Sequence, residues 1–180
     1  PDPRRFPDHG GLDGARRQRR HALLLPGHGH AVRRHPGHPH LFGDATRELY
    51  GLNTAVSLRL VLEAALGAGR RPDAVVVTGD IGDDFSAAAY ANFRRALAVC
   101  DAPVFCLPGN HDDPALMAAM LDDRGFQYCG CARLGGWGVV LLDTHIDGDA
   151  SGRVASQELA RLDADLRALA DVPVLVCLHH

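Results

Sequence analysis

The chain has 180 residues, enough for one domain with a sizeable core. It is 46% hydrophobic and 23% charged with a formal charge of −3, a globular composition without the basic footprint of a nucleic-acid or anionic-membrane binder. No apolar run approaches the ~20 residues of a transmembrane helix, and the apolar stretch ending at Leu25 is shorter than the ~7–15 residues of a signal-peptide core.

Residues 1–39 hold most of the histidines, with abundant Arg, Pro and Gly and no clean period, so they are expected to be irregular. Codons permitted for His30 to His38, read one base later, encode Met-Pro-Phe-Ala-Asp-Ile-Gln-Val, which points to an upstream or out-of-frame origin for this segment. From residue 40 onward the pattern is orderly and forms one unit, 40–180. Helices are predicted over Thr54–Leu66, Ala87–Val99, Pro114–Leu121 and Ser156–Leu169. Strands are predicted over Ala74–Thr78, Val104–Leu107, Val139–Leu142 and Val174–Leu178. Thr54, Ser86 and Ser156 are expected N-caps, and Gly67 a stop for the first helix. Helices alternating with short apolar strands predict an α/β fold, its mainly parallel sheet covered on both faces.

The five cysteines are odd in number and lack CxxC spacing, against both a disulfide framework and a structural zinc site. A reduced, cytoplasmic protein is expected. Cys106 and Cys177 read as small buried hydrophobes, and Cys129-Gly130-Cys131 as incidental.

Three of the apolar strands end in oxygen or nitrogen donors: Gly79-Asp80, Gly109-Asn110-His111-Asp112 and His179-His180. Open α/β sheets place their sites at the C-terminal ends of strands. Asp80 alone would be a turn cap and His111 alone a loop histidine; carboxylate, amide and imidazole together suit a divalent cation. Asp112-Asp113 is expected to cap the helix at Pro114, Asp143 to orient loops, and His145, Asp147 and Asp149 to lie in a solvated loop.

These ordered motifs resemble the calcineurin-like metallophosphoesterases. His40-Leu41-Phe42-Gly43-Asp44, Tyr50-Gly51-Leu52-Asn53-Thr54, Leu107 through Asp112 and Leu141-Leu142-Asp143 are similar to the class III cyclic-nucleotide phosphodiesterases in particular. The resemblance implies a four-layer α/β/β/α sandwich, incomplete over these residues. It implies two divalent metal ions (Mn, Fe, Mg or Zn) whose bridging hydroxide attacks the phosphorus of a 3′,5′-cyclic nucleotide such as cAMP. By position, Asp80 falls on the bridging ligand, Asn110 on a ligand that also contacts phosphate, and His179 on a ligand to the same metal. His40 falls on the His of the family's first Asp-x-His motif. His111 falls on the catalytic residue that is no ligand but donates to phosphate and assists the leaving group. The implied partner is a small phosphodiester, not nucleic acid or a membrane, and a homodimer is left open. Other phosphoesterases of the superfamily are the alternative reading.

Two departures stand out. His38 occupies the place of the family's first Asp, and the family's later Gly-His-x-His motif has no counterpart in 40–180. The chain is therefore expected to supply about half of a dinuclear site and to be inactive as a fragment. Gly27-His28-Gly29-His30 copies the missing motif, an accident of a Gly/His-rich tract rather than a permutation.

Overall fold

The structure, a computed structural model, describes residues 22–25, 38–67, 71–123 and 125–180. Strand β1 (Ala22–Leu25) comes first, then an antiparallel hairpin of β2 (Glu48–Leu49) and β3 (Leu52–Asn53). Tyr50 and Gly51 turn it, both at positive φ, as a two-residue hairpin of this kind requires. Helix α1 (Thr54–Leu66) is capped by Asn53, whose side chain accepts from the Val56 N–H. The expected cap, Thr54, is instead buried and donates its hydroxyl to the His40 carbonyl.

Next come β4 (Ala74–Val77) and α2 (Ala87–Leu97), the latter capped by Ser86 as expected. Its end tightens into a 3₁₀ turn, Ala98–Cys100, so the α-helix stops short of Val99. After β5 (Val104–Cys106), α3 (Pro114–Met120) is capped by Asp113, which accepts from the Leu116 N–H. β6 (Phe126–Tyr128), β7 (Gly130–Leu134) and β8 (Trp137–Leu141) lead to α4 (Ser156–Ala168) and β9 (Val174–Cys177). Ser156 is inside α4 rather than its cap; Ala155 precedes it with no side-chain cap.

The strands form two larger sheets. One runs β1-β4-β5-β6, parallel throughout; the other runs β7-β8-β9, with β7 and β8 antiparallel and β8 and β9 parallel. All four residues of β4 are buried. Val75 and Val77 pack with Leu58, Leu62, Tyr90 and Phe93 of the helices, while Ala74 and Val76 pack with Val139, Leu141 and Cys177 of the second sheet. Both faces being covered, the strand is a continuous apolar run, each buried valine adding about 1.5–3 kcal/mol. On the far side Val140 and Leu142 pack with Leu162 and Leu169 at α4. The order is helices, sheet, sheet, helix: the four-layer α/β/β/α sandwich that the resemblance implied.

Ala22–Leu25 belongs to the segment expected to be irregular, and at these four residues that expectation fails. They pair with β4 from Ala22 against Ala74 to Leu25 against Val77. The physical reason is that Ala-Leu-Leu-Leu, bounded by Pro26, is a short apolar run suited to a strand of a parallel sheet. The Gly27–His30 tract lies outside the described residues.

Candidate metal centre

The loops after β4, β5 and β9 meet at the C-terminal ends of their strands. Segment 40–41 is held beside the first of them: the His40 N–H donates to the Asp80 carbonyl (2.8 Å), Leu41 N–H to Ile81 (2.8 Å), and Asp83 N–H to Leu41 (2.9 Å). His40 and Asp80 both adopt left-handed backbone, φ 42° and 50°. Such strain clusters at functional sites, where surrounding contacts over-determine it. Gly79 and Gly109 permit the crowding, since a Cβ on either would collide with the His179 ring.

One oxygen of Asp80, Oδ2, is ringed by imidazoles. His179 Nε2 lies 3.4 Å away, His40 Nε2 3.6 Å and His38 Nδ1 3.8 Å. The other oxygen, Oδ1, accepts from the His111 backbone N–H at 3.1 Å. The ring orientations are fixed from behind. His179 Nδ1–H donates to the Thr78 carbonyl (2.6 Å) and His40 Nδ1–H to Asp83 Oδ1 (3.1 Å), so each presents Nε2 to Asp80. An outer hydrogen bond of this kind orients a metal-binding histidine and raises its basicity.

Burial opposes charge on Asp80, but the His179 hydrogen bond, the His111 N–H and the nearby imidazoles outweigh it and hold the carboxyl well below the usual range. Burial also opposes charge on His179, yet its bonds to Asp80 and Thr78 raise its pKa. Metal binding at this pair would compete with a proton for the His179 lone pair.

Two groups of potential donors result: His38, Asp80 and His179, and His40, Asp80 and His111, each with its donor atoms within 4.8 Å. All four histidines and the carboxylate can offer a lone pair, a set that fits a borderline or hard divalent ion. His111 differs from the others in exposure: its side chain is 45% accessible against 8% for Asp80 and 7% for His179. Its Nδ1 lies 3.1 Å from Asp83 Oδ1. Asn110 is half-buried in the same turn, between Gly109 and His111.

The expected residues His40, Asp80, Asn110, His111 and His179 are therefore brought to one place. Sequence reasoning missed Asp83, which faces both His40 and His111; its signal was the spacing Gly79-Asp80-x-x-Asp83. It also misplaced Asp112. That residue caps no helix: it is buried, and its carboxylate accepts from the Ile81, Gly82 and Gly109 N–H groups and the Tyr90 hydroxyl. Burial pushes its pKa up, against those N–H donors. Asp112 thereby ties the Asp80 loop to the His111 loop. His145 is not in open solvent either; it is half-buried, and its Nδ1–H donates to the Gly109 carbonyl at 3.0 Å. Asp143 orients its loop as expected, accepting from the His145 N–H and the Tyr128 hydroxyl.

Comparison with known proteins agrees with this geometry. Residues 40–152 match the family model described as calcineurin-like phosphoesterase. The chain is 37% identical over 145 residues to the 3′,5′-cyclic adenosine monophosphate phosphodiesterase CpdA of Escherichia coli, covering 78% of this chain and 52% of that protein. It is 34% identical over 143 residues to the CpdA of Haemophilus influenzae, covering 79% and 52%. It is 32% identical over 154 residues to a cAMP/cGMP dual specificity phosphodiesterase of Mycobacterium tuberculosis, covering 81% and 48%. The chain spans about half the length of these curated relatives. Family model, strand-end motifs and imidazole-ringed carboxylate agree: the chain belongs to the calcineurin-like phosphoesterases, a family of metal-dependent enzymes.

Proposed function

We propose that this chain carries the N-terminal metal-binding part of a phosphodiesterase that hydrolyses 3′,5′-cyclic nucleotides, cAMP among them. The observation that carries the reading is Asp80 Oδ2 within 3.4–3.8 Å of three imidazole nitrogens, with an exposed His111 beside it. The names of the similar proteins, all cyclic-nucleotide phosphodiesterases, supply the substrate class.

Asp80, His40, Asn110 and His179 are the residues that would hold two divalent ions. When bound, such ions supply Lewis acidity and activate water at neutral pH. The net reaction joins a water oxygen to phosphorus, breaks one P–O bond of the cyclic diester and returns a proton to the departing ribose oxygen. His111 is the residue exposed to an incoming diester. Asp83 Oδ1, 3.1 Å from Nδ1, orients the ring and leaves Nε2 to hand a proton to the departing oxygen. Asn110, from the same turn, would hold a phosphate oxygen through its amide. No helix of the described residues is long and apolar enough to cross a membrane.

The test is phosphate-ester hydrolysis by the encoded protein at the length of its relatives, with metal added back after chelation. Metal-dependent turnover of 3′,5′-cAMP is expected, with much weaker turnover by the 180-residue chain, in which the family's Gly-His-x-His motif has no counterpart among residues 40–180. Preference for a phosphomonoester over every cyclic nucleotide would refute the substrate assignment.

A further inference from the structure

His38 stands where the family's motif carries an aspartate, and its place beside Asp80 gives that substitution a chemical consequence. His38 Nδ1 is 3.8 Å from Asp80 Oδ2, its side chain is only 11% exposed, and its ring centroid is 4.8 Å from that of His179. Pro39 follows and is buried, which biases His38 toward extended backbone and so helps fix the direction of its side chain. Two donors at about 2.0–2.1 Å from a tetrahedral ion lie roughly 3.3–3.4 Å apart. His179 Nε2 and Asp80 Oδ2, at 3.4 Å, already match; His38 Nδ1 is a few tenths of an ångström too far from Asp80 Oδ2, and all three donors lie within 4.8 Å of one another.

We propose that His38 is a metal ligand, and that His38, Asp80 and His179 form a pocket selective for a nitrogen-preferring dication, zinc or cobalt, over manganese or magnesium. The inference rests on the metal-site reading above and deepens it. Two imidazoles and one carboxylate with open positions is a donor set used by catalytic zinc. Manganese and magnesium favour carboxylate, carbonyl and water oxygen, and both gain most from ligand charge. An aspartate at position 38 would supply that charge; a neutral imidazole does not. Replacing it moves one donor from oxygen to nitrogen without adding charge, which favours the later metals of the first transition row.

The experiment titrates the metal-free 180-residue chain with Zn²⁺, Co²⁺ and Mn²⁺ separately by calorimetry, and follows Co²⁺ by its visible absorption. Wild type, H38D and H38N are compared, with circular dichroism checking the fold. H38D adds a second carboxylate beside Asp80; H38N removes the imidazole without charge, so it remains informative if H38D folds poorly. The expected result is tighter Zn²⁺ than Mn²⁺ binding in wild type. The Zn²⁺/Mn²⁺ affinity ratio should fall about tenfold or more in H38D, and Zn²⁺ should bind more weakly in H38N. Metal binding with the same ratio and the same Co²⁺ spectrum in all three proteins would overturn the role of His38 while leaving a metal site intact. No binding of any ion by wild type would overturn both.

Discussion

At the scale of single residues, the candidate site sets enclosed side chains beside an exposed one. Asp80 and His179 are enclosed and mutually bonded, whereas the His111 side chain stays open while its backbone N–H bonds Asp80. Replacement of His111 by alanine keeps that N–H and removes only the ring. In the protein at the length of its relatives, His111→Ala should therefore leave metal content near normal and lower kcat about 10²–10⁴-fold, the usual contribution of a general acid. Metal analysis beside kcat checks this; lost metal with unchanged kcat per loaded enzyme would make His111 a ligand. The strand-end donors were legible in sequence because Asp, Asn and His after apolar runs have little use in a core. Asp83 and Asp112 were not, because their roles depend on a loop 28–31 residues away being folded against them.

At the scale of elements, strongly patterned segments were legible and short polar ones were not. β4 and β5 read as apolar runs because both faces are covered, and β9 is an apolar run that is only partly buried. β6 and β7 escaped because Gln127, Gly130 and Arg133 break any alternation and the strands are only half-buried. α4 illustrates a link invisible in sequence. Its Glu158 accepts from the Arg161 guanidinium (2.6 and 3.1 Å) and from the Asp143 N–H (3.2 Å), while Arg161 also donates to the Leu141 carbonyl (2.8 Å). The helix is thereby pinned to the end of β8. The Arg161 hydrogen bond, outweighing burial, holds Glu158 below its ordinary range. A depressed carboxylate contributes stability above its unfolded value of ~4.3 and loses it as pH falls through the lower folded value. Glu158→Gln should thus cost on the order of 1 kcal/mol at pH 7. The gap from wild type should close below pH ~4 in denaturant titrations at stepped pH. A gap that widens toward acid would contradict this account of the pin.

At the scale of the whole molecule, the two sheets are finished differently. The first is covered by helices and the second sheet. In the second, β9 ends the described strand order, with Val176 and Leu178 36% and 42% exposed. An unpaired strand edge beside exposed aliphatic side chains is a template for further pairing. The 180-residue chain should accordingly self-associate, with sedimentation velocity showing species that grow with concentration; a single monomeric boundary over a hundredfold concentration range would contradict it. The four-layer plan was legible only through the family resemblance, since alternating helices and strands alone fit a single sheet with helices on both faces. What separates the two is which face of β4 meets Val139 and Leu141, a contact between residues more than sixty positions apart.

The central claim is that Asp80 anchors a metal centre built by the loops after β4, β5 and β9, and anomalous X-ray scattering from crystals soaked in zinc tests it most directly. Asparagine tolerates the left-handed backbone found at position 80, so Asp80→Asn removes the charge and spares the turn. The account predicts an anomalous peak about 2.0–2.2 Å from Asp80 Oδ2 and from an imidazole nitrogen of His179 or His40, lost or sharply reduced in the variant. A peak elsewhere, or one that persists at full height in Asp80→Asn, would contradict it.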